Sequence, residues 1–117
     1  MTMAHTANQH GDCEKARDCF AKCYEKSGRL EARISAANMC LKIAVLLSQT
    51  EPLRADQHLC DAIYEYQTML RQIFDTSMPK ESRDKLLLLL KRKYKLAIEE
   101  AKKRKNDSKR RLSLIHI

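Results

Sequence analysis

Tryptophan is absent from this 117-residue chain, phenylalanine occurs twice, and the only glycines are Gly11 and Gly28. So little turn chemistry and so few aromatic residues leave a β-sheet without the residues that hairpins and strands favour. Long apolar runs are missing too. The longest, residues 43–47 and 86–90, fall far short of the roughly 20 residues a membrane-spanning helix needs. Residues 1–10 contain no basic flank followed by an apolar stretch, so no secretory signal is read there. The sequence also lacks a glycine-rich phosphate loop, an HExxH helix, a nucleophile elbow and a CxxC pair. These absences set the expectation of a non-catalytic chain with no cofactor, no metal and no small-molecule substrate.

What is present suits a single helical domain. Apolar residues make up 44% of the chain and charged residues 32%, enough of the first to bury a core. The formal charge of +8 is unevenly placed. Residues 102–111 hold Lys102, Lys103, Arg104, Lys105, Lys109, Arg110 and Arg111 against Asp107, a net +6 that leaves +2 for everything else. A basic tail on a nearly neutral domain is read as a charged helical extension. The alternatives are a nuclear-import or nucleic-acid contact, or a contact with an anionic membrane.

Four stretches carry helical periodicity. Cys13, Ala16, Phe20, Cys23 and Tyr24 form one apolar stripe, with Asp12 as a candidate N-cap and Gly28 as a left-handed terminator. Leu30, Ile34, Ala37, Leu41, Ala44 and Val45 form a second, flanked by Ala36, Cys40, Ile43 and Leu47. That arc is wide enough for two neighbours. Pro52 restarts the chain, and Leu59, Ala62, Ile63, Tyr66, Leu70, Ile73 and Phe74 mark a third helix. Ser77, Pro79 and Glu81 signal the start of a fourth, whose stripe includes Leu87, Leu90, Tyr94, Ala97 and Ala101. Residues 86–90 are apolar around the whole helix, and so are either fully buried or partly an exposed patch. The fold class read from this pattern is all-α. It is an antiparallel up-and-down bundle of three to four helices at about 12–27, 30–48, 53–74 and 80–105. A disordered segment, residues 1–11, is expected before it and the basic tail, residues 106–111, after it.

The cysteines Cys13, Cys19, Cys23, Cys40 and Cys60 are read as reduced, buried thiols. His5, His10, Cys13 and the pair Cys19 and Cys23 offer a weaker metal reading, because zinc needs about four ligands held together. His58 and Cys60 lie two residues apart on a helix and so cannot pair as a dyad. Residues 112–117, LSLIHI, match an in-frame translation of CTG TCT CTT ATA CAC ATC, a transposase end sequence used in DNA library preparation. They are read as non-native sequence, so the natural chain is expected to continue past Arg111.

Two stretches resemble the microtubule-interacting and trafficking (MIT) domain, a three-helix antiparallel bundle. The turn Glu25-Lys26-Ser27-Gly28-Arg29-Leu30-Glu31-Ala32 is similar to the family's first turn. Asp61-Ala62-Ile63-Tyr64-Glu65-Tyr66 and Lys93-Tyr94-Lys95-Leu96-Ala97-Ile98-Glu99-Glu100 are similar to its second and third helices. The turn places the unit on helices one to three, whereas the later motifs place it on helices two to four. The resemblance implies docking of short helical or extended protein tails, such as those of ESCRT-III subunits, in grooves beside the third bundle helix. Tyr64, Leu87, Leu90, Tyr94 and Ala97 are the groove-lining residues it implies. Leu96 stands where the family often carries an acid that meets a basic residue of the ligand. The location it implies is cytoplasmic and endosome-associated, with the nucleus as the alternative. Tyr24 and Gly28 also resemble a tetratricopeptide (TPR) hairpin, which implies a scaffold in a different pathway. No second copy follows at the ~34-residue period of that repeat.

Overall fold

The computed structural model describes the backbone of residues 3–75 and 77–115 and the side chains of residues 11–75 and 77–106. Four α-helices follow one another: α1 (Met3–Ser27), α2 (Leu30–Leu47), α3 (Pro52–Gln72) and α4 (Lys80–Ile115). A short 3-10 turn, Ile73–Asp75, extends α3, and no strand occurs among the described residues. The all-α class and the number of helices read from the sequence are those of the structure.

The helix ends follow local chemistry. Gly28 ends α1 at φ +67°, the left-handed region that favours glycine. Its N–H donates to the Tyr24 carbonyl at 2.7 Å. The Ser27 hydroxyl donates to the Cys23 carbonyl and accepts from the Arg29 N–H, which satisfies groups a helix end would leave open. Pro52 occupies the first turn of α3, where its missing N–H costs nothing. At the start of α4 the Pro79 carbonyl accepts from the Arg83 N–H.

Two helices run further than the periodicity indicates. α1 begins at Met3, so residues 3–11 are helical rather than disordered and Asp12 lies inside the helix instead of capping it. No proline interrupts residues 3–11, Ala4 and Ala7 favour helix, and Gly11 costs only about 1 kcal/mol relative to alanine. α4 continues to Ile115, ten residues past the end indicated by the periodicity, and its backbone takes in residues 106–111 and 112–115. At 36 residues α4 is about 54 Å long, close to the 57 Å long axis of the molecule.

α2 sits at the centre. Eight of its 18 residues are buried, Leu30, Ala32, Ile34, Ala37, Cys40, Ile43, Ala44 and Leu47, and all but Ala32 belong to one of two clusters. The larger gathers Ile34, Ala37 and Ala44 with Leu59, Ala62, Tyr66, Met69 and Ile73 of the α3 segment and Leu86, Leu90 and Ala97 of α4. The smaller joins Ile43 and Leu47 to Cys13 of α1 and Ala55 of α3. The backbones of α2, α3 and α4 approach one another pairwise, while that of α1 approaches only α2. Tyr66, fully buried, donates its hydroxyl to Asn38 Oδ1 at 2.6 Å, which ties α3 to α2.

The leucine block of α4 is split by this packing. Leu86 and Leu90 are buried, Leu87 and Leu89 half-buried, and Leu88 is exposed. Placing an alanine at Gly28 forces a side chain into the left-handed region, and the Gly28→Ala variant should lose about 1–2 kcal/mol of stability in urea denaturation.

Candidate functional site: the furrow between α3 and α4

The two banks of this furrow come from helices whose core stripes point elsewhere. α3 buries a narrow line, Ala55, Leu59, Ala62, Tyr66, Met69 and Ile73, and α4 buries Leu86, Leu90 and Ala97. Beside those lines an open furrow of about 350 Å3 remains near the start of α3, lined by Asp56, Leu59, Cys60 and Ile63 on one bank and Ala101, Arg104 and Lys105 on the other. Its floor is apolar, and three contacts between the helices fix its shape. Arg104, with its side chain only 11% exposed, binds Asp56 and donates to the Pro52 carbonyl at 2.8 Å. Gln67 Nε2 donates to the Tyr94 hydroxyl at 2.9 Å one turn beyond Ile63. About three turns past the furrow the Arg83 guanidinium stacks 5.6 Å from the centre of the Phe74 ring, a geometry that attracts a cation to an aromatic face.

The groove residues implied by the family resemblance are only partly brought together here. Leu90 and Ala97 are fully buried in the core and offer no surface to a ligand. Tyr64 is 64% exposed but lies two residues from both Ala62 and Tyr66. At 100° per residue that turns it away from the core, on the side of α3 that carries Cys60 one turn earlier. Leu87 and Tyr94 are half-buried and pack against the larger cluster, with the Tyr94 hydroxyl bonded to Gln67 of α3. The residues that do line the open part are Leu59, Cys60 and Ile63, within about a turn and a half of Tyr64, and Ala101, about two turns past Tyr94. Helical phase alone would have placed Ile63 and Ala101 at the edges of the α3 and α4 stripes.

Of the basic tail, Lys102, Lys103 and Lys105 are exposed. Arg104 departs from the expected solvated run, because its side chain is packed against α3 as a strap. The side chains of Lys109, Arg110 and Arg111, and those of His5 and His10, lie outside the described residues.

The thiols also depart from expectation. Cys13 and Cys40 are buried, but Cys19, Cys23 and Cys60 are exposed. Cys19 and Cys23 fall on the flank of α1 that α2 leaves uncovered, and Cys60 opens onto the furrow. Burial pushes the Cys40 thiol up, which keeps it protonated and unreactive at neutral pH. Among the described residues no three His, Cys, Asp or Glu side chains converge as metal ligands.

A second furrow, about 440 Å3, lies over α2 between α1 and α3, with Ala36, Ala37 and Cys40 in its floor and Tyr24 and Arg33 at its side. Arg33 is closed in by Glu65 at 2.6 Å, by Gln72 at 3.2 Å and by the Tyr24 ring at 5.4 Å. The Glu65 hydrogen bond raises its already high pKa. Two longer-reaching contacts join α1 to α3, Arg54 with Glu14 at 3.1 Å and Arg17 with His58 Nδ1 at 3.3 Å.

No family model, curated protein or solved structure matches the chain. Among the described residues no helix is long and apolar enough to cross a membrane.

Two measurements check this geometry. Leu90→Ala removes a core side chain and should cost about 2–5 kcal/mol in chemical denaturation, as a groove residue would not. Burial, then the nearby Arg17, lowers the His58 pKa below its usual value near 6.5, with Arg54 adding to the effect. The neutral ring, whose Nδ1 accepts from Arg17, therefore stabilises the fold above about pH 6.5. This contribution is lost as pH falls through the lowered pKa. The urea midpoint should drop from pH 7.5 to pH 5.5, and His58→Gln, which retains an acceptor without titrating there, should flatten that drop.

Proposed function

We propose that this chain is a non-catalytic interaction domain that docks a short helical or extended segment of another protein in the furrow between α3 and α4. The observation that carries the reading is the apolar floor of Leu59, Ile63 and Ala101, held open between helices that are clamped together at Arg104, Gln67 and Arg83. A preformed apolar furrow gains free energy from burying a guest's apolar side chains and loses little to reorganisation. The mutual approach of α2, α3 and α4 supports placing the MIT-like unit on these helices, with α1 added outside. On that reading the partners are tails of ESCRT-III subunits or related trafficking proteins, met in the cytoplasm at endosomes.

A second reading, a helical-repeat scaffold, draws on the furrow of about 440 Å3 between the parallel helices α1 and α3. Stacked helical hairpins produce such a surface.

Fluorescence anisotropy with the full chain and a panel of ESCRT-III C-terminal tails and designed amphipathic peptides separates the two. Cys60 is exposed, so Cys60→Tyr fills the furrow without touching the core and should weaken peptide binding at least about tenfold, or 1.4 kcal/mol. Binding that ignores Cys60→Tyr moves the site to the other furrow. Failure of every peptide to bind ends the docking proposal.

A further inference from the structure

The buried residues of the larger cluster come from α2, α3, the 3-10 turn after it and α4, and none comes from α1. Among the described side chains of α1 only Cys13 is buried, while Ala16, Phe20 and Tyr24, further along the same stripe, are half-buried. Open space lies on both flanks of that stripe. On one flank is the furrow of about 440 Å3, where Arg17 and Ala21 stand over Ala36, Ala37 and Cys40 of α2. On the other a gap of about 290 Å3 lies among Asp12 and Ala16 of α1 and Met39 and Lys42 of α2. Helical phase puts Arg17 and Ala21 on one side of Cys13 and Asp12 and Ala16 on the other. Surface contacts add to the attachment, Glu14 with Arg54 at 3.1 Å, Arg17 with His58 Nδ1 at 3.3 Å, and the Tyr24 ring with Arg33 at 5.4 Å. Partly exposed contacts of this kind each contribute little. Only Gly28, left-handed, and Arg29, extended, connect α1 to α2.

We infer that α1 is a hinged cover, which leaves α2 as a unit about Gly28 while α2, α3 and α4 stay folded together. Its departure gives up the burial of Cys13 and the surface contacts. The larger cluster and the hydrogen bond from Tyr66 to Asn38 are untouched. A segment held by so little apolar burial lies at the low end of the range of local opening free energies within a protein. Glycine at the hinge lets the backbone turn without the steric barrier that a side chain sets. Opening uncovers Cys13 and the side of Met39, Ile43 and Leu47 that packs with it. That apolar strip on α2 is separate from the furrow between α3 and α4. The closed and open bundles therefore present different surfaces, and this device does not rest on the docking reading.

Hydrogen exchange of the full chain, resolved by residue, and maleimide labelling of Cys13, read by mass spectrometry, test the hinge together. Amides of residues 13–24 should exchange through one shared opening, at least about a hundredfold more frequent than the one that frees the slowest amides of α2 and α3. Cys13 should be labelled through that same opening. Protection of α1 equal to that of α3 overturns the inference, because the bundle then opens as one unit. Protection that falls steadily toward Met3 overturns it as well, since that pattern is fraying from an end. Two substitutions outside α1, Tyr66→Phe and Arg104→Gln, should lower the urea midpoint and leave the rate of Cys13 labelling without urea unchanged. The α2–α4 unit that they weaken is intact in both the closed and the open form. Labelling that accelerates in step with the lost stability overturns the hinge.

Discussion

α2 is apolar around most of its circumference, and a helix of that kind is stable only when covered on more than one side. Ile34, Ala37 and Ala44 take α3 and α4 as cover, whereas Ile43 and Leu47 take Cys13 of α1 and Ala55 of α3. The need to cover two faces sets the order of the bundle. It draws α1 to one side of α2 and the α3–α4 pair to the other, and it keeps the backbone of α1 away from α3. Small residues at the crossing, Ala36 and Ala37, bring the helices close and leave the furrow above them shallow-floored.

The α3–α4 furrow is a by-product of the same economy of apolar surface. α3 has only one buried residue per turn or so, and spends that line on α2 and on the inner face of α4. Nothing large remains near Asp56 and Cys60 to fill the outer angle between the helices, and Ala101 on the facing helix is small. Polar and charged side chains hold the pair together instead. Arg104 is the clearest case, because its charge is met by Asp56 and its remaining donor by the Pro52 carbonyl. A basic residue near the end of a charged run thereby becomes part of the packing.

Much of the helix pattern was legible in the residues, because a 3.6-residue repeat of apolar side chains is a local signal. Pro52 and Gly28 mark their boundaries for steric reasons that need no tertiary context, and α2 and α3 begin and end within two residues of the positions they indicate. The start of α1 was hidden because residues 3–11 carry no apolar stripe, and α4 overruns because charged residues sustain a helix without one. The site was less legible. Tyr64, Leu90 and Ala97 entered the groove set through motif likeness, and Leu90 and Ala97 are fully buried in the core. Whether Cys60 and Ile63 face a neighbour or solvent depends on where α4 lies, which no periodicity within α3 encodes. Cysteine's usual preference for interiors misled at Cys19, Cys23 and Cys60 for the same reason.

The hydrogen bond between Gln67 and Tyr94 crosses between the helices one turn beyond Ile63, like a weir at the end of the furrow. From Asp56 to Ile63 the lined furrow is about 10 Å long, which a helical guest covers in about seven residues and an extended one in about three. Anything longer has to climb over the tyrosine or push the amide aside. The protein thereby carries its own gauge of how much of a visitor it can hold, set by one side-chain contact between two helices.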